Sequence, residues 1–206
     1  MEILREYPET IGRLVSEPDT GISDALNKGL GLAGGTFIQF LHAGDSLPDD
    51  AVAVAVKVLQ SHPAAAFVFG DIEYGEMRHR NPNSVVKGDP MYGKSIRYVM
   101  PRLNHPTILA RRELFTRYGG FDTSLQVAMD YDWLLRIHNG GETGVYDERI
   151  RIAMQPGGVS DRRPFLAFTE CRDISIQHGF NPLVAYAYFV MRCMKQILFV
   201  GLRLRR

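Results

Sequence analysis

Gly21-Ile22-Ser23-Asp24-Ala25-Leu26-Asn27-Lys28-Gly29-Leu30-Gly31-Leu32-Ala33-Gly34-Gly35-Thr36-Phe37-Ile38-Gln39-Phe40-Leu41-His42-Ala43-Gly44-Asp45 is the stretch from which the fold can be read. Ile22, Leu26, Leu30 and Ala33 recur at helical spacing, and Gly34-Gly35 stops that helix. Thr36–Leu41 is short and rich in β-formers, which predicts a buried strand ending in His42-Ala43-Gly44-Asp45. Beyond it, Ser46 or Asp49 can cap a helix with Pro48 in its first turn; it runs over 51–60 and stops near Pro63. Ala66-Phe67-Val68-Phe69 is a second buried strand, followed by Gly70-Asp71. Helix, strand, helix, strand predicts an α/β domain with a parallel sheet. Ligands of such sheets sit beyond the carboxyl ends of the strands, where this reading places both Asp45 and Asp71. Gly29, Gly31 and Gly34 satisfy G-x-G-x-x-G, but a dinucleotide site needs those glycines after a strand and before a helix. Here they end a helix and precede a strand, so no such site is expected.

Downstream, residues 74–103 hold scattered Gly and Pro with Arg78, Arg80, Lys87, Lys94, Arg97 and Arg102, and read as a long loop over the active face. Arg111–Tyr118 reads as a short helix and Met129–His138 as a longer one. Strand-like pieces follow at Thr143–Tyr146 and Arg149–Met154, then a helix over Phe165–His178. His62, His79, His138 and His178 are expected to face solvent.

Composition narrows the function classes. The 206 residues are 45% hydrophobic and 23% charged, an ordinary globular balance. Lys plus Arg number 24 against 23 Asp plus Glu, so the basic excess typical of nucleic-acid binders is missing and no nucleic-acid partner is expected. Cys171 and Cys193 make no disulfide framework and fit a reducing, cytoplasmic setting. The first residues carry no apolar signal segment.

Several fragments, taken in order, resemble the family 2 glycosyltransferases of the GT-A fold. They are Ser16-Glu17-Pro18-Asp19 with Gly21-Ile22, Asp24-Ala25 and Asn27-Lys28-Gly29; Phe40-Leu41 with Ala43 and Asp45; Gly70-Asp71; and Asn104-His105-Pro106-Thr107. Arg111–Phe115 with Gly119-Gly120-Phe121-Asp122, Met129–Arg136 and Gly157-Gly158-Val159-Ser160 follow. The resemblance covers roughly residues 10–160. It implies a GT-A-like (Rossmann-like), mostly parallel sheet flanked by helices. The domain would span 1–160, with a C-terminal helical region at 161–206.

The resemblance also implies an activity: transfer of a sugar, with inversion, from a nucleotide-sugar donor (a UDP-sugar) to a glycan or lipid-linked acceptor in cell-surface polysaccharide assembly. Asp45 matches the position that holds a divalent cation, Mg²⁺ or Mn²⁺. Many members carry two adjacent acids there, whereas this chain has Gly44 then Asp45. Asp130 matches the catalytic base, and Asp132 and Arg136 lie close on the same helix. Asp24, Asn27 and Lys28 match the segment that closes over the nucleotide diphosphate, and His105 matches a histidine on the acceptor side. A carboxylate suits the base because it can take the acceptor hydroxyl's proton as the oxygen attacks the anomeric carbon. A cation suits the diphosphate because negative charge builds on the leaving group.

The family's opening strand and turn, and the acidic turn before the helix matching Met1–Tyr7, are not read here. The resemblance therefore implies a chain starting inside the first βαβ unit, about 40–60 residues short, with weak nucleotide-sugar binding of its own. The competing expectation is a catalytically inactive remnant or interaction module. The tail over 187–206 carries Arg192, Lys195, Arg203, Arg205 and Arg206 and no acid. Drawn as a helix, it places Arg192, Lys195, Gln196, Arg203 and Arg206 on one side with apolar residues over the rest. That predicts an amphipathic helix in peripheral contact with the inner face of the membrane.

Overall fold

The computed structural model describes residues 9–74 and 84–203, together with Leu4, Glu6 and Tyr7. Helix α1 (Ile22–Leu32) leads into strand β1 (Phe37–Ile38), helix α2 (Ala51–Ser61) and strand β2 (Phe67–Tyr74). Strand β3 (Ser84–Val86), strand β4 (Leu109–Arg111), helix α3 (Glu113–Tyr118) and helix α4 (Met129–Asn139) follow. The chain continues with strand β5 (Gly144–Met154), the short helix α5 (Val159–Arg162), and helices α6 (Pro164–Gln177) and α7 (Pro182–Arg203). The expected helix at Met1–Tyr7 and the loop residues Arg78, His79 and Arg80 fall largely or wholly outside the described residues.

β2 organises the molecule. One edge pairs along its length with β5 in parallel, while the other pairs antiparallel with β4 at Phe67–Val68 and with β3 at Ile72–Tyr74. β1 joins on the far side of β4, again antiparallel. The sheet is therefore mixed, which corrects the expectation of a mostly parallel one. β1 and β2 do point the same way, as the alternation requires, but β4 lies between them. β4 is three residues long and runs straight into α3, so it leaves too short an apolar run to be read as a strand.

Alternation along β2 divides the core between the two faces of the sheet. Phe67 and Phe69 enter the larger cluster, with Tyr131, Trp133, Leu134, Leu135 and Ile137 of α4 and Cys171 and Ile174 of α6. Val68 enters a smaller one with Ala55, Val58 and Leu59 of α2, Leu109 and Ile150. Phe115 of α3 stacks on Trp133 at 4.4 Å between ring centroids. Helices cover both faces, which is why β2 reads as continuously apolar.

Asp71 is the second correction. It lies inside β2 with 0% of its surface exposed, not at a strand end. Its Oδ1 accepts hydrogen bonds from the Gly88 amide at 3.0 Å and the Tyr146 hydroxyl at 2.8 Å, so it braces the chain after β3 against β5. The two strand-like pieces around 143–154 form one strand, β5, whose register with β2 breaks between the Phe69–Tyr146 and Asp71–Arg151 pairs. Gly70 sits at that break.

Candidate active site

Two loops and a helix start build the site. After β1 the chain turns through His42–Asp45, where the Asp45 amide donates to the His42 carbonyl at 3.1 Å. Ser46 and Ala153 exchange both backbone hydrogen bonds, at 2.9 and 3.0 Å, tying the turn to the end of β5. Gly44 has φ +98°, a left-handed conformation that glycine adopts without a Cβ penalty. A Cβ there would also meet Gln155 Oε1 at 2.7 Å. The space over Gly44 is thus filled by the Gln155 amide, reaching in from just past the end of β5. Burial lifts the Asp45 carboxyl above the usual carboxylate range, against the backbone amides of Gln155 and His42 and the charge of His42.

His105 is placed by its neighbours in sequence. Asn104, with φ +50°, donates its side-chain amide to the Gly70 carbonyl at 2.7 Å, and the Gly70 amide donates to Thr107 Oγ1 at 2.9 Å. The 3₁₀ turn His105–Thr107 is thereby pinned to the middle of β2. His105 stacks on Phe40 at 6.0 Å and lies 5.8 Å from the His42 ring. Burial, reinforced by His42, pushes the His105 imidazole down to about 4, so it is neutral at physiological pH.

Asp130 opens α4, and its Oδ1 accepts the Tyr131 amide at 2.8 Å. Burial pushes its carboxyl up to about 6; backbone amides and the charge of His42 oppose that rise, and Glu170 adds to it. His42 therefore acts on both Asp45 and Asp130, two carboxyls 85 residues apart in sequence. His42 thus links three of the sequence candidates: His105 by ring contact at 5.8 Å, and Asp45 and Asp130 through its charge.

The other sequence candidates gather elsewhere. Asn27 makes a two-point latch with the backbone of Phe121, donating to its carbonyl and accepting from its amide, both at 2.8 Å. Arg136 donates Nε to Asp132 at 2.9 Å and its Nη atoms to the Tyr118 and Gly120 carbonyls. Asp132 also lies 3.3 Å from His178, and this contact keeps His178 from facing solvent freely. Asn27, Asp132 and Arg136 line a cleft of about 620 Å³ together with Leu30, Phe121 and Asp122. Lys28 bonds Glu17 and Asp24, each at 3.2 Å, and donates to the Pro18 carbonyl at 2.7 Å. The Thr20 amide, with Lys28, holds Asp24 below the usual carboxylate range.

Gln155 and Glu170 escape a reading of the sequence, and His42 enters it only as the first residue of the turn that ends in Asp45. Gln155 and Glu170 reach the site only through tertiary contact, and no local motif marks either. Among the described residues, no group of three His, Cys, Asp or Glu side chains could hold a metal ion.

Comparison with known proteins gives the family and the fold. The sequence profile described as Glycosyl transferase family 2 matches residues 2–119. The chain belongs to that family. A PGL/p-HBAD biosynthesis glycosyltransferase of Mycobacterium bovis (strain BCG / Pasteur 1173P2) is 29% identical over 140 residues. That match covers 66% of this chain and 52% of the relative, so the chain spans about half the length of the curated proteins it matches. S. aureus TarS 1-349 in complex with UDP-GlcNAc superimposes with a TM-score of 0.62 at 14% identity, covering 93% of this chain and 59% of that one. The mannosyltransferase PcManGT from Pyrobaculum calidifontis, in complex with GDP-Man and Mn²⁺, gives 0.58 at 21% identity, covering 91% and 56%. At these identities the two structures establish the fold: an α/β unit with a mixed sheet, as in GT-A glycosyltransferases.

Proposed function

We propose that the chain forms the greater part of a glycosyltransferase that moves a sugar from a nucleotide-sugar donor, a UDP-sugar, to a hydroxyl of a glycan or lipid-linked acceptor with inversion. The family 2 match over residues 2–119 carries the reading, and the turn after β1 supports it, with the His42 ring 5.8 Å from that of His105 and the His42 charge bearing on both Asp45 and Asp130. Asp130 takes the acceptor hydroxyl's proton, and a carboxyl poised near 6 is ionised yet still basic at neutral pH. His105, kept neutral by burial, is free to orient that hydroxyl by hydrogen bonding. Asp45 offers hard oxygen donors to a divalent cation, Mg²⁺ or Mn²⁺, with Gln155 Oε1 packed against Gly44 next to it in sequence. A lone carboxylate with a neutral amide suits a cation shared with substrate phosphates. Bound there, the cation would neutralise the charge that builds on the leaving diphosphate. Asn27 on α1 and Arg136 on α4, the latter braced by Asp132, serve the donor through the loop they hold at 118–121, and Asp24 and Lys28 serve it through the segment at 17–20 that they hold.

Calorimetry of the full chain with UDP or GDP plus Mn²⁺ tests this reading. Heat is expected only when nucleotide and cation are present together, because Asp45 alone is a poor cation site. Absence of heat with every nucleoside diphosphate would favour the inactive remnant, the reading that Gly44 supports.

Work at the cytoplasmic face of a membrane fits α7. Leu183, Met194, Ile197 and Leu198 are 81, 54, 60 and 66% exposed on it. Arg192 turns inward instead of joining a polar outer stripe, its guanidinium 4.3 Å above the Phe168 ring. No acid follows Asp173 in the sequence, while Arg203, Arg205 and Arg206 close it. Among the described residues no helix is long and apolar enough to cross a membrane, which supports a surface-lying helix. The chain is expected to sediment with phosphatidylglycerol vesicles, and Ile197→Glu with Leu198→Glu to abolish this. Sedimentation unchanged by the double substitution would end the membrane reading.

A further inference from the structure

Glu170 of α6 lies beyond residues 2–119 matched by the family profile, and its carboxylate is fully engaged. Oε1 accepts the Gln126 amide at 2.9 Å; Oε2 accepts the Val127 amide at 2.9 Å and the Ala128 amide at 2.7 Å. These three consecutive amides immediately precede α4. Helix starts leave donors that need outside partners, and the Ala128 cap position has no side-chain oxygen to offer them. Arg163, just before α6, donates to the Gln126 side chain at 2.9 Å and holds the same loop.

We infer that Glu170 is a positioning residue for Asp130: by clamping the amides of Gln126–Ala128 it sets the direction in which α4 starts and where the Asp130 carboxyl stands. This rests on the reading of Asp130 as the base. A carboxylate is used here because three amides concentrate positive partial charge at one point, and an anion meets them more strongly than a neutral oxygen would. The same charge acts on Asp130. The titratable side chains that face Asp130 are His42 from the turn after β1, and Glu170 and Cys171 from α6. On α4 itself, the Asp132 carboxylate is engaged by Arg136 and His178. Of these groups, His42 favours the ionised carboxylate and Glu170 opposes it.

Glu170→Gln in the full chain separates the parts. It keeps the side chain's volume and one acceptor oxygen but removes the charge and one arm of the clamp. Amide hydrogen exchange at 126–128 is expected to speed up about tenfold. The Asp130 carboxyl titration, followed by carbon-13 NMR, is expected to move to lower pH. Transfer should show a lowered kcat, an unchanged KM for the donor, and an acid limb displaced in the same direction. Glu170→Asp keeps the charge, and the titration should stay closer to that of the unmodified chain. Exchange and titration both unchanged in Glu170→Gln would overturn the inference while leaving Asp130 as base. An altered titration in Glu170→Gln, combined with full activity of an Asp130→Asn chain, would instead remove the base reading and leave the clamp in place.

Discussion

Asp130→Asn is expected to lower sugar transfer by about 10²–10⁴-fold, the usual contribution of a general base, while leaving nucleotide binding with Mn²⁺ intact. The amide nearly matches the carboxylate in shape and can still accept the Tyr131 amide bond of 2.8 Å, but it cannot take a proton. The pH dependence gives an independent check. Only the ionised carboxyl is a base, and burial pushes this one up to about 6, so transfer should fall as pH drops through about 6. That limb should be missing from whatever activity the Asn chain retains. The stability effect has the opposite sign. A carboxyl whose folded value lies above its unfolded value, near 4, costs stability when ionised, and the cost is relieved as pH falls from about 6 toward 4. Melting curves should therefore show Asp130→Asn at least as stable as the unmodified chain at pH 7.5, with the advantage gone near pH 4. Full activity in the Asn chain would remove Asp130 from the mechanism. Lost activity with a lower melting temperature at pH 7.5 would mean that the substitution damages the fold.

The second large effect is expected at Gly70, a backbone position that takes no part in proton transfer. A Cβ added there would stand 1.9 Å from the Ile150 carbonyl oxygen and 2.7 Å from the Ile150 Cβ. Backbone on the facing strand cannot swing aside as a flexible side chain could. Gly70→Ala must therefore push β5 away from β2 at the register break, in the layer holding Val68, Leu59 and Ile150. The Gly70 backbone, strained from its own side, also carries the Asn104 and Thr107 hydrogen bonds that seat His105. A loss of about 3 kcal/mol or more is expected, at the upper end of overpacking costs. For a chain of this size that lowers Tm by roughly 6–12 °C. Urea titration and a thermal scan would measure both. A variant with unchanged Tm would show that the β2–β5 bulge has room the structure does not reveal.

Much of this molecule is legible in its sequence because the signals are local. The stripe Ile22, Leu26, Leu30 and the stop at Gly34-Gly35 mark α1, and the apolar run Ala66–Phe69 marks the buried strand that becomes β2. Asp130 at a helix start and His42–Asp45 after a strand could be found by their place in an ordered set of family motifs. Asp71 shows the limit of such reasoning. The sequence has no way to signal that β2 continues past Gly70-Asp71, because a glycine and an acid are ordinary turn residues. Only the bulge of β5 and the Gly88 and Tyr146 partners make them acceptable inside a sheet. Asn27 and Arg136 show a second limit: their partners are backbone atoms of one loop at 118–121, and pairing between a side chain and a distant carbonyl leaves no periodic trace.

By itself the sequence determined the order and kind of the main elements, the family, and two carboxylates worth testing, since each depends on residue types at short spacing. The tertiary structure alone decided that β4 slips between β1 and β2, that Gln155 fills the space over Gly44, and that Glu170 grips the start of α4. Each of these joins segments tens of residues apart. Such contacts depend on how layers stack and on which buried amides still need an acceptor, and no single stretch of chain carries that information.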